Sequence, residues 1–422
     1  MEDDRAASQL RLSSARRRID AFIEQIDILS ASSFPHDDGE AALAAIRHDC
    51  VKLRKDLNLP AGIRKDVVDQ LCLALLDKVD DYTSILGFIL RSTNVRNPFE
   101  LHYIVKDLIR RVIGDDVSLL ISSEWSYTPF TYPMSIDQLP TSILIGTPAP
   151  EAGNPLLIPL AGHEVGHSAW RTFGCAPHYA ADVSAAVTRQ IDTTRAGKDL
   201  LATSPLGPLD SERVIDRCAG HVMRQIEEVF CDLLGLFLFG HAFIASFDYL
   251  LGPGAGRRYD LDYPSDQQRM AILLDAASPS GDGLAIAYDP AMTDRWTSAV
   301  ASPEVKNEAE IIDAATAEMV PRVRDELFAR LRAKALEPPR QAVIKNVLAS
   351  FERGEPHSDR VELGEIVSAG WLRLRALDTT VFFGKDDRAR ESERTKSYKV
   401  LADLVLKTIE VAEYHDRIAG HA

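Results

Sequence analysis

Residues 156–170, "LLIPLAGHEVGHSAW", form an apolar run that contains two histidines and a glutamate. Ionisable side chains in such a run are costly to bury unless they are paired or bind an ion. On a helix, His163 and His167 lie one turn apart on the same face, so both imidazole rings can reach one zinc ion. Glu164 then projects beside the ion, where its carboxylate can take a proton from a water that the ion has acidified. The run therefore predicts a buried helix that carries a metal site.

A zinc hydrolase site has three protein ligands and one open position, so a third ligand must come from another segment. Two known arrangements do not fit this sequence. Trp170 and Phe173 stand where the metzincins have a glycine and a third histidine. No EGCLS-like segment, from which peptide deformylases take a cysteine ligand, precedes His163. The third ligand is therefore expected further along the chain.

The segment "QIEEVFCDLLG" contains an acidic pair, Glu228 and Asp232, within an apolar sequence. These two residues are four apart and share one face of a predicted buried helix, where unpaired carboxylates would be expensive. Their burial is explained if Glu228 binds zinc and Asp232 accepts the ring N–H of a ligating histidine. Glu227 is the competing ligand. Glu228 is favoured because only it has an aspartate four residues later.

With these motifs, "HEVGH" (163–167) and "EVFCD" (228–232), the chain resembles the gluzincin metallopeptidases. The resemblance covers about residues 115–275 and leaves the helical flanks unexplained. It implies that His163, His167 and Glu228 bind one Zn²⁺ per chain and that Asp232 orients a ligating histidine. It also implies a zinc-dependent metallopeptidase that hydrolyses peptide bonds through a zinc-activated water, with Glu164 as the general base.

A weaker resemblance concerns the segment "DYPSDQQRM", residues 262–270. Several gluzincins have an H-P-x-x-x-x-R segment at this point, and here Tyr263 stands in the place of the histidine. The resemblance implies that Tyr263 donates a hydrogen bond to the oxyanion of the tetrahedral intermediate. Tyr259 and His241 are alternatives for that role. His178 and His221 are interpreted as surface or core histidines and not as ligands.

The fold predicted from these patterns is α+β and predominantly helical, with a zincin-like core between helical N-terminal and C-terminal segments. The expected regions are a helical region at 1–114, the catalytic core at 115–283 and a second helical region at 284–422. The apolar residues of α-helical period include Ala15, Ile19 and Ile26. The segments "VSLLISSEW" and "TSILIGTP" are β-branched and predict strands. The second of them, or alternatively the first, is expected to pair with an extended peptide substrate.

Composition excludes several classes of partner and compartment. A net charge of −15 over 422 residues argues against nucleic acid and anionic membranes. The most apolar stretch, residues 229–251, contains Asp232, His241 and Asp248 and is expected to be a core helix instead of a membrane span. Five cysteines without CxxC spacing and a polar, acidic N-terminus predict a cytoplasmic protein. The oligomeric state is not indicated by the sequence.

Two other functions remain open at this point. One is a catalytically silent zincin-like binding or regulatory protein, and the other is a zinc hydrolase that acts on a non-peptide amide or ester. The presence of Glu164 argues against the first, because a scaffold needs the metal ligands but not the base. The sequence does not separate the second from a peptidase, so the expected partner is a peptide or protein substrate.

Overall fold

The computed structural model is predominantly helical. It describes residues 2–32, 34, 37–59, 63–93, 100–124, 130–131, 142–148, 151, 153–203, 211–251, 260–277, 305–378 and 387–420. These residues form fourteen α-helices and one three-stranded sheet. The prediction of a predominantly helical α+β chain is therefore confirmed.

The chain divides into two compact units. The first consists of Met1–His102, Asp116–Ser126 and Phe130–Ala152, and the second of Tyr103–Asp115, Tyr127–Pro129 and Gly153–Ala422. This grouping places the strands with the N-terminal helices, whereas the boundaries predicted from the sequence put them with the helix that carries His163 and His167. It also places the C-terminal helices in the same unit as that helix.

Three helices form most of the first unit: α1 (Glu2–Ser30), α2 (Asp37–Asp56) and α3 (Lys65–Thr93). Ala15, Ile19 and Ile26 of α1 are fully buried in a shared apolar core, as their helical spacing predicts. A fourth helix, α4, runs from Glu100 to Val112 and crosses the boundary between the units in sequence.

The sheet has the strand order β1-β3-β2, with β1 at Ser118–Glu124, β2 at Phe130–Thr131 and β3 at Ser142–Pro148. β1 pairs with β3 in parallel and β2 pairs with β3 in antiparallel fashion. Leu120 and Leu144 pack into the core of α1 to α3, which explains why the sheet belongs to the first unit. Both predicted strands are confirmed. However, β3 is paired on both sides at Ile145 and Gly146, so these two residues do not offer a free edge to a peptide.

The second unit begins with a short 3₁₀ turn at Pro155–Leu157, which leads into the helix that carries His163 and His167. Its helices are α5 (Leu160–Thr172), α6 (Cys175–Thr193), α7 (Arg195–Thr203), α8 (Ser211–Phe239), α9 (His241–Leu251), α10 (Asp266–Ala276), α11 (Lys306–Ala333), α12 (Gln341–Glu352), α13 (Leu363–Asp378) and α14 (Asp387–Gly420). α8 packs against α5, α6 and α11, and its residues from Val229 to Phe239 are all buried. It is therefore the central helix of this unit.

One helix boundary differs from the sequence expectation. The apolar stretch at 229–251 was expected to be one helix, but α8 ends at Phe239 and α9 begins at His241. Gly240 between them has φ +54°, a left-handed conformation that ends a helix and favours glycine. Within the described residues, no helix has the length and apolar character needed to span a membrane.

The helix α5 approaches α8 very closely because it has glycines on the facing side. A Cβ atom added to Gly162 would lie 3.0 Å from the Cα of Gly235, and one added to Gly166 would lie 2.6 Å from the Cα of Cys231. Real Cβ atoms do not come that close to backbone, so a larger residue at Gly166 would push the two helices apart. Their spacing therefore depends on these glycines.

The close approach makes Gly166→Ala destabilising. We expect it to lower the free energy of unfolding of the metal-free protein by about 1 to 3 kcal/mol, because the new methyl group meets backbone atoms that cannot yield locally. The measurement is urea unfolding followed by far-UV circular dichroism. Gly220→Ala is the control: Gly220 lies in α8 with nothing within 4 Å of an added Cβ. It should raise stability by about 0.5 to 1 kcal/mol, since alanine favours the helix. Equal effects of both substitutions would contradict the packing described.

Candidate metal centre

The helix α5 presents the two histidines of the HExxH motif side by side. Their ring centroids are 5.1 Å apart and the rings are nearly perpendicular. Leu160, Val165 and Ala169 of the same helix are buried, which holds α5 in the core of the second unit. The histidine side chains remain partly accessible, at 13% for His163 and 17% for His167. A ligand can therefore reach both rings from solvent.

The carboxylate of Glu228 on α8 lies opposite both rings. Its Oε2 is 3.3 Å from Nε2 of His163 and its Oε1 is 3.7 Å from Nε2 of His167. Two imidazole nitrogens and a carboxylate thus face one another across a small space. This is the donor set of a three-ligand zinc site.

The other nitrogen of each ring is held by an acidic residue of α8. Nδ1 of His163 is 2.8 Å from Oδ1 of Asp232, and Nδ1 of His167 is 2.9 Å from Oε1 of Glu227. A carboxylate that accepts from Nδ1–H fixes the orientation of the ring and directs Nε2 toward the metal. From the sequence, Glu227 is considered only as a competing metal ligand, and no bond to a histidine is expected. In the structure its carboxylate contacts Nδ1 of His167.

Burial opposes a charged His163, but its hydrogen bonds to Asp232 and Glu228 and the charges of both carboxylates raise its pKa to about 10. Without a metal, the raised pKa therefore favours the protonated form of this ring, which lies between two carboxylates. Binding of a metal at Nε2 displaces that proton, so metal and proton compete for the same position. The residues present fit a divalent cation because it can replace the proton without disturbing the carboxylates.

Arg269 on α10 completes the buried charge cluster. Its Nε and Nη2 each donate to the Asp232 carboxylate at 2.7 Å, and its guanidinium lies 5.0 Å from the centre of the Phe247 ring. Burial alone would raise the pKa of Asp232, but Arg269 and His163 lower it to about 2. Asp232 is therefore ionised and immobile. Arg269 is part of the segment "DYPSDQQRM", but no role for it is predicted from the sequence. A single sequence does not show which carboxylate an arginine will contact in the fold.

Glu164 differs from the other acids of the site. It is 5% exposed, and no side chain of the described residues forms a hydrogen bond with its carboxylate. Burial raises the pKa of Glu164 above its ordinary value. Glu227, Glu228 and Asp232 are all within bonding distance of a histidine, whereas Glu164 is available to exchange a proton.

Cys231 offers a different third ligand. Ligand atoms of His163, His167 and Cys231 lie within 4.8 Å of one another. However, burial raises the pKa of the Cys231 thiol well above its ordinary value, whereas His163 lowers the pKa of Glu228 against the effect of burial. Without a metal, these shifts favour the ionised form of the carboxylate and the neutral form of the thiol. Sγ of Cys231 also packs on α5, 2.8 Å from where a Cβ of Gly166 would be. His163 and His167 can therefore be completed by either of two residues of α8, Glu228 or Cys231.

The remaining predicted residues lie in different surroundings. Tyr263 is half exposed, and the charge of Glu228 is the main cause of the raised pKa of its phenol, which indicates a position close to the site. His241 is buried at the start of α9, with both ring nitrogens unpartnered among the described residues and a pKa that burial lowers to about 4. Tyr259 lies outside the described residues. His178 contacts Glu326 and His221 contacts Asp262.

Comparison of the chain with protein-family models, curated proteins and solved structures found no match.

The choice between Glu228 and Cys231 is testable by metal content. Glu228→Gln should remove most of the zinc, because the amide lacks the charge that binds the ion, while Cys231→Ser should retain about one zinc per chain. The measurement is inductively coupled plasma mass spectrometry of protein dialysed against a weak chelator. Circular dichroism of both variants checks that the helices are intact. Zinc retained in Glu228→Gln and lost in Cys231→Ser would reverse the assignment.

Proposed function

We propose that the chain is a zinc-dependent metallopeptidase of the gluzincin type, with one Zn²⁺ held by His163, His167 and Glu228. The observation that carries this proposal is the orientation of the two rings. Both Nε2 atoms face Glu228, while both Nδ1 atoms are held by carboxylates of the same helix. Ligands oriented in this way, with one position left for water, are typical of catalytic zinc sites.

A zinc ion in this position would polarise a substrate carbonyl and make a water acidic enough to attack it. Glu164 would take a proton from an attacking water and return it to the nitrogen of the leaving amine, so that one water and one amide give an acid and an amine. No described side chain forms a hydrogen bond with its carboxylate, which is consistent with that role. Its raised pKa brings it closer to the working pH, which suits a group that both accepts and donates a proton.

Tyr263 is the proposed donor to the oxyanion. Its raised pKa keeps the phenol protonated near neutral pH, so the hydroxyl can donate to a substrate oxygen. Half of the residue is exposed, which leaves it accessible to a bound peptide. The electrostatic effect of Glu228 on the phenol favours Tyr263 over His241, which is buried at the start of α9.

We also propose a zincin-like arrangement around α5 and α8, a peptide or protein substrate and a cytoplasmic location. All five cysteines are buried and none forms a disulfide, which is consistent with a reducing compartment. The net charge of −15 disfavours a nucleic acid substrate.

Two other functions share parts of this site. A catalytically silent zincin-like binding or regulatory protein would retain the metal ligands, but it would not need a buried, unbonded Glu164, whose burial costs stability. A zinc hydrolase for a non-peptide amide or ester would use the same residues. It differs only in the substrate, so it is the second candidate.

Glu164→Gln distinguishes a catalytic site from a scaffold. We expect this variant to retain its zinc and fold and to lose turnover by several orders of magnitude, because the amide cannot accept the proton of the water. The measurement is the release of new amines from a mixture of peptides by zinc-loaded protein. Esters and acylated amines, assayed in parallel, test the second candidate. Hydrolysis by Glu164→Gln at the wild-type rate would refute the mechanism, and zinc-loaded wild type without activity on all three substrate classes would favour the scaffold.

A further inference from the structure

An ion-paired cluster joins the segment before α10 to the first half of α8. The carboxylate of Asp262 accepts from Nδ1 of His221 at 2.6 Å and from the guanidinium of Arg224. His221 and Arg224 are three residues apart on α8, so they lie on the same face of the helix. Charge-assisted bonds of this kind are short and directional. Asp262 is thus held by two donors that α8 presents together.

A neighbouring backbone group is held by the same helix. The carbonyl of Leu261 accepts from Nε2 of Gln225, which is fully buried, at 3.1 Å. The amide of Asp262 donates to Oδ1 of Asp260, which stabilises the turn. Two successive residues, Leu261 and Asp262, are therefore fastened to α8 immediately before Tyr263.

The segment is fastened to α8 again after Tyr263. Ser265 caps α10 with a capping box shared with Gln268, and Arg269 in the first turns of α10 binds Asp232. On α8, the first attachment ends at Gln225 and the second is at Asp232, about 10 Å apart along the helix axis. Glu228 lies between these two attachments. Residues 261–265, which we call the bridge, therefore pass over α8 at the level of Glu228, the proposed third ligand. Tyr263 belongs to this bridge.

We propose that His221 and Arg224, acting through Asp262, are positioning residues that hold Tyr263 over the metal site for contact with a substrate oxygen. The attachment of Arg269 to Asp232 alone would leave Leu261 and Asp262 without a bond to α8. The cluster of His221, Arg224 and Asp262, together with the bond from Gln225 to Leu261, holds them on α8 before a substrate binds. Such preorganisation favours the transition state. The role of Tyr263 in this inference rests on the proposed function, whereas the attachment of the bridge to α8 does not.

The first test measures the attachment without reference to activity. Hydrogen–deuterium exchange of the full zinc-loaded chain reports on the amides of Leu261, Asp262 and Tyr263 in one peptic peptide. We expect Asp262→Ala and His221→Ala to accelerate the exchange of these amides by about tenfold or more. In both variants the segment has fewer ion pairs to break when it opens, so it opens more often. His221→Asn should preserve slow exchange, since its amide nitrogen can take the place of Nδ1.

The control is Asp216→Ala. Asp216 is an exposed carboxylate on α8 that makes no hydrogen bond or ion pair with any described side chain. Its removal should leave exchange of the bridge, zinc content and turnover unchanged. Zinc content is measured in every variant, so that loss of the metal is not mistaken for loss of positioning.

The second test is a double-mutant cycle in peptide hydrolysis. Tyr263→Phe and Asp262→Ala should each lower kcat by on the order of 100-fold, with a smaller effect on KM, because both remove the same hydrogen bond to the oxyanion. The double variant should be no slower than Tyr263→Phe alone. His221→Asn should recover most of the kcat that His221→Ala loses.

The outcomes decide different claims. Unchanged exchange in Asp262→Ala, or kcat losses that multiply in the double variant, would overturn the positioning role. Accelerated exchange in the variants, combined with a zinc-loaded wild type that hydrolyses none of the substrates, would support the attachment and count against the proposed function. Accelerated exchange together with non-multiplying losses supports both.

Discussion

The close contact between α5 and α8 is the constraint on which the candidate metal centre depends. Gly166 lies against the backbone of Cys231, and Gly162 lies against Gly235 one turn further along α8. Larger residues would separate the helices, and Glu228 could then no longer face Nε2 of both His163 and His167. All three proposed ligands and both acids that orient the histidines come from these two helices. The geometry of the site is therefore set by helix packing.

The charges at this contact explain why a cation would be bound there. Four acids, Glu164, Glu227, Glu228 and Asp232, surround two histidines, and one buried arginine offsets part of their charge. Buried carboxylates are stable only when they are paired, protonated or bound to an ion. Asp232 is paired with Arg269, Glu164 has a raised pKa, and Glu228 lies 3.3 Å from Nε2 of His163, whose protonated form it favours. A divalent ion bound at Nε2 would take the place of that proton and add positive charge where carboxylates outnumber cations.

The sequence predicted those features that depend on local periodicity. The i, i+4 spacing placed His163 and His167 on one face of α5, and the same rule identified Glu228 with Asp232 on α8. The bonds of Glu227 to His167 and of Arg269 to Asp232 depend on how separate helices pack, and no spacing in one sequence encodes that. The break at Gly240 was missed because apolar residues continue on both sides of the glycine. The sheet was assigned to the catalytic core from its place in the chain, whereas its apolar face packs on α1 to α3.

X-ray absorption at the zinc edge tests the central claim most directly, because it reports the ligand atoms of the bound ion. The account predicts a first shell of nitrogen and oxygen only, at about 2.0 to 2.2 Å, with the outer-shell scattering of two imidazole rings. Such a shell follows from His163, His167, Glu228 and one water. A sulfur scatterer at about 2.3 Å would show that Cys231 binds the ion and would contradict the ligand set on which the proposed function rests.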